Sequence, residues 1–377
     1  MQTFLENLHI TKPTLLVDKD KAVANIRFMT EKAGRNGVRL RPHFKSHQSA
    51  KIGEWFRQEG VACITASSVD MALYFAKHDW QDITIAIPVN LREIENINKL
   101  ARKIEISLVG ESVESAAFLA ENLNSPANIW IKIDIGYHRA GIDFAESGAI
   151  LQVTNTVCRA ENMHLSGILT HSGHTYKANS IAGIEKIFGE TISRMQDVKS
   201  VIERETGEKI EVSIGDTPSC TVVEDLSGVD EIRAGNFVFY DLMQFESRVC
   251  TIDKVAVAVA CPVIAKHKAR NEILLYGGAI HLSKDSVKLQ DGAVSYGCIV
   301  EPGEKSWGAV VPNTNLISLS QEHGIVKTDD AFFERVKIGD CLLVLPVHSC
   351  LTANLMGDYM ALDGETIGSM TSKKNYA

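Results

Sequence analysis

Short apolar runs alternate with longer amphipathic segments over the first two thirds of the chain. The runs are rich in Ile and Val, and they end at Gly, Pro, Asn or Asp. This is the pattern of buried parallel strands. The runs that fit it begin near Val38, Val61, Asp82, Ile104, Asn128, His164, Ile210 and Glu231.

The segments between these runs carry helical signals. Asn90 and Glu93 have the spacing of a capping box, and a long polar helix is predicted over Ile181–Thr206. Eight strands that alternate with helices predict a parallel sheet with crossover helices. The count favours a (β/α)8 barrel of the TIM type, with a doubly wound open sheet as the alternative. No Gly-x-Gly-x-x-Gly follows the first strand, which removes one reason to choose the open sheet.

The pattern changes after Tyr240. Gly and Asp separate short apolar runs and helical periodicity is weak, which predicts a β-rich second domain. Thr14–Val17 precedes the first barrel helix without a barrel partner and is assigned to the same domain. We expect the barrel at residues 20–244 and the β-rich domain at residues 1–19 plus 245–377. The strands predicted for the second domain are Lys254–Lys266, Asn271–Tyr276, Asn315–Ser320 and Cys341–Val347.

The composition excludes several classes of protein and of binding partner. The 377 residues carry 39 Lys and Arg against 47 Asp and Glu, which gives a net charge of −8 without a basic block. This balance argues against nucleic acid and anionic membranes as partners. The longest apolar run, Val255–Ala265, is too short to cross a bilayer. Eight scattered cysteines without a CxxC pair, and a start without a signal peptide, predict reduced thiols and a cytoplasmic location.

A basic stretch, Arg39-Leu-Arg-Pro-His-Phe-Lys-Ser-His47, follows the first predicted strand. Active sites lie at the carboxyl ends of barrel strands, so Lys45 is expected to point toward a substrate. Burial and neighbouring cations can activate a lysine there as a nucleophile. A solvated loop lysine explains this stretch alone equally well. His43 and His47 are assigned supporting roles, because a strand-to-loop turn does not aim both at one ion.

Four further clusters follow predicted strands. Asp134-Ile-Gly-Tyr-His-Arg139 offers an arginine that can hold an anionic oxygen, although alone it is more typical of a plain turn. Thr170–Tyr176 concentrates histidines and hydroxyls. Gly215–Ser219 and Arg233–Tyr240 follow the last two barrel strands, where phosphate sites recur in this architecture. A glycine turn that leads into a helix can cradle a phosphate, so these two clusters predict a phosphate-binding site.

A last cluster, His348-Ser-Cys350, lies at the end of the predicted strand Cys341–Val347. In an extended strand residues i and i+2 point to the same face, so both side chains are expected on one side. Imidazole and thiolate suit Zn²⁺, and two protein ligands leave positions open for water or substrate. A His-x-Cys pair also occurs often by chance, so the pair alone does not establish a metal site.

Together these clusters resemble the family of metal-dependent D-threonine aldolases and eukaryotic-type D-serine dehydratases. These are fold-type III pyridoxal 5'-phosphate (PLP) enzymes related to alanine racemase. The resemblance extends from Thr11-Lys-Pro-Thr-Leu-Leu-Val-Asp18 to about Leu355. Its most specific part is Arg41-Pro-His-Phe-Lys-Ser-His47, which matches the family motif R-P-H-x-K-[TS]-H. The match implies that Lys45 is the catalytic lysine that carries PLP.

The family's other motifs imply the remaining cofactor-binding residues. They match at Asp134–Gly141, Thr170–Tyr176, Gly215–Ser219 and Arg233–Asp241. Ala234 stands where the family has proline, and we expect little effect from it. The residues that the resemblance assigns to PLP are Lys45, His43, Arg139, His171, Tyr176, Gly215, Asp216, Thr217, Asn236 and Tyr240.

The family also places a metal pair near its C terminus. The pair is His-x-Asp in typical D-threonine aldolases and His-x-Cys in D-serine dehydratases. His348 and Cys350 form the cysteine version, with Leu351 where many members have proline. The resemblance therefore implies a divalent metal at His348 and Cys350, with Zn²⁺ expected and Mn²⁺ or another ion as alternatives. It also implies a homodimer.

The implied function is a PLP- and metal-dependent lyase that acts on D-3-hydroxy amino acids, either as a dehydratase or as an aldolase. Cys350 favours the dehydratase. A PLP-dependent racemase is an alternative, but it needs a second base, for which Tyr296 is one option. A non-catalytic, PLP-carrying regulatory protein is a further alternative. The β-rich domain and the metal pair argue against it.

Overall fold

The computed structural model describes residues 3–178, 180–289 and 292–372. Its strands are β1 (Thr14–Val17), β2 (Arg39–Leu40), β3 (Ile64–Ala66), β4 (Asp82–Pro88), β5 (Glu105–Gly110), β6 (Ala127–Asp134), β7 (Ile142–Asp143), β8 (Met163–Leu169), β9 (Glu211–Ile214), β10 (Glu231–Ile232), β11 (Val257–His267), β12 (Glu272–Tyr276), β13 (Val287–Lys288), β14 (Val294–Ser295), β15 (Gly297–Pro302), β16 (Trp307–Val310), β17 (Asn315–Leu319), β18 (His323–Lys327), β19 (Cys341–Pro346), β20 (Tyr359–Ala361) and β21 (Thr366–Ile367).

The α-helices are α1 (Lys19–Asn36), α2 (Ala50–Gln58), α3 (Val69–Ala76), α4 (Ile94–Ala101), α5 (Val113–Asn122), α6 (Ser147–Cys158), α7 (Ile181–Thr206), α8 (Thr217–Val222), α9 (Leu242–Glu246), α10 (Ala279–Leu282), α11 (Asp330–Arg335) and α12 (Ser349–Met356). Short 3-10 helices lie at Phe4–Asn7, Phe44–Ser46, Leu91–Glu93, Gly173–Lys177, Asn236–Val238, Ile252–Lys254 and Lys268–Arg270.

One compact unit, the barrel unit, contains Arg27–Lys45 and Phe56–Gly235. Eight of its strands form a parallel sheet in the order β2-β10-β9-β8-β6-β5-β4-β3. A parallel bridge between His43 and Thr65 joins the two ends of this order. The Thr65 amide there donates a 2.9 Å hydrogen bond to the Pro42 carbonyl. The sheet is therefore closed, and the predicted (β/α)8 barrel is confirmed.

Barrel strands are apolar on both faces because helices cover the outside and side chains fill the inside. Six of the eight residues of β6 are buried. The residues Val109, Trp130 and Leu169, from three adjacent strands, form a buried cluster. The helix predicted over Ile181–Thr206 is confirmed. Its end is set by Gly207, whose φ of 77° is easily adopted only by glycine.

The second compact unit, the β-rich unit, contains the described residues of Met1–Ile26, Ser46–Trp55 and Asn236–Ala377. Its main strand order is β16-β15-β19-β11-β1-β20-β21, and β12, β18 and β17 continue from β11. Strand β1 pairs antiparallel with β11 and parallel with β20. The β-rich second domain and the assignment of Thr14–Val17 to it are thus confirmed. The boundaries at residues 20–244 stay a prediction.

The strand predicted over Cys341–Val347 ends one residue early, at Pro346. Proline has no amide proton for a further ladder bond. His348 is the N-cap residue of α12, and Cys350 lies in the first turn of that helix. The expectation that these two residues share one face of a strand is therefore wrong. No helix in the described part of the chain is long and apolar enough to cross a membrane.

Candidate active site

Lys45 follows the strand that closes the barrel. This strand continues beyond β2, because the His43 amide donates a 2.9 Å hydrogen bond to the Ala234 carbonyl. The 3-10 turn Phe44–Ser46 then ends it, and Lys45 is exposed on that turn. The carboxyl end of a barrel strand, where the sequence predicts the catalytic lysine, is thus the position that Lys45 occupies.

Phe44 anchors the turn on the side that precedes Lys45. Its buried ring has centroid distances of 5.0 Å to Phe56, 4.9 Å to Phe75 and 5.0 Å to Trp80. Aromatic pairs of this kind contribute about 0.5–1.5 kcal/mol each beyond their buried area. The backbone from which the Lys45 side chain starts is therefore held by a packed aromatic cluster.

Positive charge surrounds two histidines of the barrel unit. Burial lowers the pKa of both His43 and His171 well below the ordinary range, and nearby cations lower it further. Burial also lowers the pKa of Lys132 to about 7, with Arg233 and Arg139 adding to the effect. The cations that act on these groups are Lys45, Lys132, Arg139 and Arg233. Neutral imidazoles among several cations make a site that favours an anionic ligand.

Gly215, Asp216 and Thr217 form the turn that leads into α8. The Asp216 carboxylate accepts hydrogen bonds from the Ser219 amide over 2.8 Å and from the Thr175 hydroxyl over 2.9 Å. The Thr217 hydroxyl is buried and has no hydrogen-bond partner among the described residues. A buried polar group without a partner is costly, and a phosphate oxygen of PLP would provide one. The turn therefore fits the phosphate that the sequence predicts.

His171 and Tyr176 reach the same turn from the segment after β8. A ring nitrogen of His171 contacts the Gly215 carbonyl. The Thr217 amide donates a hydrogen bond to the Tyr176 hydroxyl over 3.2 Å. The two rings have centroids 6.3 Å apart. Five of the predicted cofactor-binding residues are therefore brought together at one end of the barrel strands: His171, Tyr176, Gly215, Asp216 and Thr217.

Arg139 lies on a tight turn after β6. The Asp134 carboxylate accepts hydrogen bonds from the amides of Gly136 over 2.9 Å and Tyr137 over 3.0 Å. Gly141 has a φ of 113°, and a Cβ there would lie 2.6 Å from the Asp134 nitrogen, so the turn requires glycine. The exposed Arg139 guanidinium lies over the Tyr137 ring, 5.3 Å from its centroid. Its donors are accessible to an anionic oxygen.

Asn236 and Tyr240 lie in the β-rich unit, in the segment after β10. The Asn236 amide nitrogen donates hydrogen bonds to the Asp241 carboxylate over 2.6 Å and to the Ser349 hydroxyl over 3.0 Å. The same nitrogen lies 3.6 Å from the Cys350 sulfur. Tyr240 is buried, with a φ of 45°. Asn236 thus neighbours a predicted metal ligand, and the roles of both residues toward PLP stay predictions.

His348 and Cys350 come together where α12 begins. The Nδ1 atom of His348 lies 2.8 Å from Oδ2 of Asp285, which leaves Nε2 as the ring atom available to an ion. The Cys350 thiol contacts the Ser46 hydroxyl over 3.3 Å. His348 and Cys350 also hydrogen-bond to each other. The start of a helix, rather than a strand, brings the predicted pair together.

The two groups stabilise each other's charge. Burial opposes the charged form of both, but the hydrogen bond and charge of Cys350 raise the pKa of His348 to about 9. The same interaction lowers the pKa of the Cys350 thiol. When the shared proton leaves, imidazole and thiolate remain, which is a donor set that Zn²⁺ prefers. Within the described ranges, no group of three His, Cys, Asp or Glu could hold a metal ion, so the described residues offer a metal this pair of ligands.

Three charged residues that contact or act on the predicted site residues were not predicted from the sequence. Arg233 lies within a predicted motif, but the motif assigns it no role. Lys132 precedes Asp134 by two residues on β6, and this spacing, which puts both on one face, is a signal that could have found it. Asp285 has no such signal, because it reaches His348 across 63 positions of sequence.

Two family models match the chain. The model described as "Alanine racemase, N-terminal domain" matches residues 17–242, more than half of the 377 residues. The model described as "Putative serine dehydratase domain" matches residues 256–362. The first match lies almost wholly within the predicted barrel region, and the second lies within the predicted β-rich region.

Known proteins resemble the chain over nearly its whole length. It is 30% identical to the D-serine dehydratase of Dictyostelium discoideum, with 98% of each chain covered. The D-threo-3-hydroxyaspartate dehydratase from Delftia sp. HT23 has a TM-score of 0.90 and 27% identity, covering 99% of this chain and 100% of that one. A cysteine-to-alanine mutant of that enzyme is known in a metal-free form. The 3-hydroxy-D-aspartate aldolase of Paracoccus denitrificans is 23% identical, over 95% of this chain and 90% of the aldolase.

Proposed function

Since the chain belongs to the family of D-serine dehydratases with an alanine racemase-like barrel, it is a PLP-dependent lyase of D-3-hydroxy amino acids, and we propose that its reaction is dehydration. The proposed products are a 2-oxo acid and ammonia. The observation that carries the proposal is the pair His348 and Cys350 at the start of α12, with His348 held by Asp285.

The barrel residues are proposed to bind PLP. When bound, PLP stabilises the negative charge that develops at the substrate Cα. Lys45 anchors the cofactor and, once the amino acid replaces it, takes the proton from Cα. The Thr217 hydroxyl and the turn around it hold the phosphate. This role is supported by the burial of that hydroxyl, which has no hydrogen-bond partner among the described residues. Arg139 holds an anionic oxygen of cofactor or substrate. The other residues assigned to PLP are His43, His171, Tyr176, Gly215, Asp216, Asn236 and Tyr240.

His348 and Cys350 are proposed to bind the divalent metal, with Zn²⁺ as the ion that best suits imidazole and thiolate. The ion supplies Lewis acidity toward the β-hydroxyl of the substrate. Asp285 accepts the Nδ1 proton of His348 and so keeps Nε2 free to bind the ion. Ser46 and Asn236 hydrogen-bond the Cys350 sulfur and restrict its orientation.

Two observations favour dehydration over aldol cleavage. The second metal ligand is a cysteine, as in the D-serine dehydratases that the motif resembles, and not the aspartate of typical D-threonine aldolases. The two dehydratases also share more of the sequence with this chain than the aldolase does.

We further propose a homodimer that works in the cytoplasm with a small D-amino acid as its only partner besides its cofactors. All eight cysteines are unpaired thiols, which supports a reducing compartment. The acidic net charge of −8 supports the absence of nucleic acid and membrane partners.

A product assay tests the proposed reaction. The PLP-loaded protein is incubated with D-serine, D-threonine and D-threo-3-hydroxyaspartate, with Zn²⁺ or after chelation. We expect equal amounts of 2-oxo acid and ammonia, loss of both on chelation, and recovery when Zn²⁺ returns. Glycine with an aldehyde would show an aldolase instead, and an L-amino acid would show a racemase. Cys158→Ala is the matched control, because Cys158 is an exposed lone thiol and should leave the products unchanged.

A further inference from the structure

Buried side chains in the barrel unit form a hydrogen-bonded row that begins at Glu231. Oε2 of this fully buried carboxylate accepts hydrogen bonds from Nε of Arg39 over 2.8 Å and Nε of Arg41 over 2.6 Å. Oε1 accepts a 2.7 Å hydrogen bond from the Ser213 hydroxyl. Glu231 therefore has both oxygens engaged, one with two guanidinium groups and one with a neutral hydroxyl.

Ser213 connects this carboxylate to a third arginine. Nε of Arg233 donates a 2.7 Å hydrogen bond to the Ser213 oxygen, and Nη2 donates a 2.6 Å hydrogen bond to the Thr170 carbonyl. A hydroxyl has a single proton. Because Ser213 gives that proton to Glu231, its oxygen accepts from Arg233. The serine thus fixes the direction of both hydrogen bonds.

The remaining nitrogen of Arg233 lies beside the predicted phosphate turn. Nη1 has no hydrogen-bond partner in the described part of the chain, and it lies 3.3 Å from where a Cβ on Gly215 would be. Burial lowers the pKa of Arg233 to about 10, and the charge of Glu231 opposes that effect. The guanidinium is therefore still charged at neutral pH, and its unengaged nitrogen lies at the residue that begins the turn.

We infer that Ser213 is a positioning residue: by linking Glu231 to Arg233 it holds the Nη1 edge of the guanidinium at Gly215, toward bound PLP. This inference rests on the proposed cofactor site. Without the Ser213 hydroxyl, Arg233 loses the acceptor of Nε and Glu231 loses a donor. The guanidinium is then held through Nη2, by the Thr170 and Ser213 carbonyls, and can turn about that end. The charge beside the cofactor then moves, which changes both the affinity for PLP and the absorption of its ring.

The test compares PLP titrations and visible spectra of the full-length protein and its variants. We expect Ser213→Ala to bind PLP about ten-fold more weakly, the scale of one hydrogen bond to a charged group, and to shift its absorbance maximum. Ser213→Thr keeps the hydroxyl and should restore both values. Ser107→Ala is the control, because Ser107 is buried on another barrel strand and makes no hydrogen bond to Glu231 or Arg233. If Ser213→Ala does not fold, Ser213→Cys replaces it, since a thiol is a weak donor and acceptor of similar size.

An unchanged affinity and spectrum in Ser213→Ala or Ser213→Cys would overturn the inference, as would a Ser213→Thr protein that behaves like them. A wild-type protein that binds no PLP would instead refute the proposed function, so the two failures are distinguishable.

Discussion

The imidazole of His348 and the carboxylate of Asp285 lie 2.8 Å apart, although 63 positions separate them in sequence. The backbone amide of Asp285 donates a 3.2 Å hydrogen bond to the Ser283 hydroxyl, and this bond restrains the backbone of Asp285. Ser283 has φ 67° and ψ 178°, a conformation that non-glycine residues rarely adopt. Backbone strain of this kind persists where the surrounding structure enforces it, often at functional sites. The strained residue thus lies two positions before Asp285, the residue that contacts His348.

Asp285→Asn should weaken Zn²⁺ binding about 10- to 100-fold, the usual effect of losing the acceptor behind a histidine ligand. The amide can donate to Nδ1 and so favours the tautomer whose Nε2 carries the proton and cannot bind the ion. Competition with a chromophoric chelator measures the affinity. Asp20→Asn is the control, because Asp20 is an exposed aspartate at the start of α1. Equal affinities for the two variants would remove Asp285 from the site.

Gly141→Ala should weaken PLP binding, because the added Cβ would lie 2.6 Å from the Asp134 nitrogen at a φ of 113°. The turn that carries Arg139 must then shift. Gly34→Ala is the matched control. Gly34 lies in α1 with nothing within 4 Å of the added Cβ, so alanine should stabilise that helix by about 0.5–1 kcal/mol. A PLP titration and a melting curve of each variant check both expectations. Normal PLP affinity in Gly141→Ala would show that the turn is not needed for the cofactor.

Asp216 should make the stability of the PLP-free protein depend on pH. Burial raises the pKa of Asp216 to about 6, well above the value of about 3.9 in an unfolded chain. Between these values the folded protein holds a proton that the unfolded chain has lost, so this contribution to stability falls as the pH rises through that window. Asparagine has no such proton. The melting temperature of Asp216→Asn relative to wild type should therefore increase between about pH 4.5 and about pH 7.5.

Asp225→Asn is the control for this pH dependence. Asp225 is exposed, and hydrogen bonds from Ser227 lower the pKa of its carboxyl, so it stays ionised across the window. The effect of Asp225→Asn on the melting temperature should be the same at about pH 4.5 and about pH 7.5. An Asp216→Asn protein with a similarly constant effect would contradict a raised pKa for Asp216.

Lys45 should be the residue that carries PLP. Borohydride reduction of the yellow protein should attach the ring permanently to the peptide that contains Lys45, which peptide mass spectrometry detects. Lys45→Ala should remain folded, because Lys45 is exposed on its turn while the neighbouring Phe44 provides the packing. A ring attached to another lysine, such as Lys132, would contradict the assignment.

The barrel could be predicted from the sequence because its signals are local. Ile181–Thr206 carries the pattern of a polar helix, with a serine just before it and Gly207 just after it, and the helix has those bounds. Strand β18 was missed because its five residues, His323–Lys327, are polar at both ends and contain a glycine. Its pairing with β12 comes from the packing of distant segments and not from its own pattern.

Sequence motifs could propose residues for the candidate site, but they could not predict its geometry. The motif singled out His348 and Cys350, yet the reason given for their proximity, an extended strand, was wrong because Pro346 ends β19 and α12 begins directly afterwards. The partners of these side chains, Asp285 and Ser46, are distant from them in sequence. Asp285 belongs to no motif, and the lysine motif that contains Ser46 does not indicate a contact with Cys350. Contacts of this kind follow from the tertiary fold, which periodicity and spacing do not encode.

The most direct test of the central claim is the rate at which metal-free Cys350→Ala releases ammonia from a D-3-hydroxy amino acid. If the metal at His348 and Cys350 acts on the β-hydroxyl, this variant should still bind PLP at Lys45 and turn yellow, but it should release ammonia at least about 100-fold more slowly than the Zn²⁺-loaded wild type. Cys158→Ala, treated identically and reloaded with Zn²⁺, should keep the wild-type rate. Ammonia release at the wild-type rate by metal-free Cys350→Ala would contradict the account, because elimination would then need neither the cysteine nor the metal.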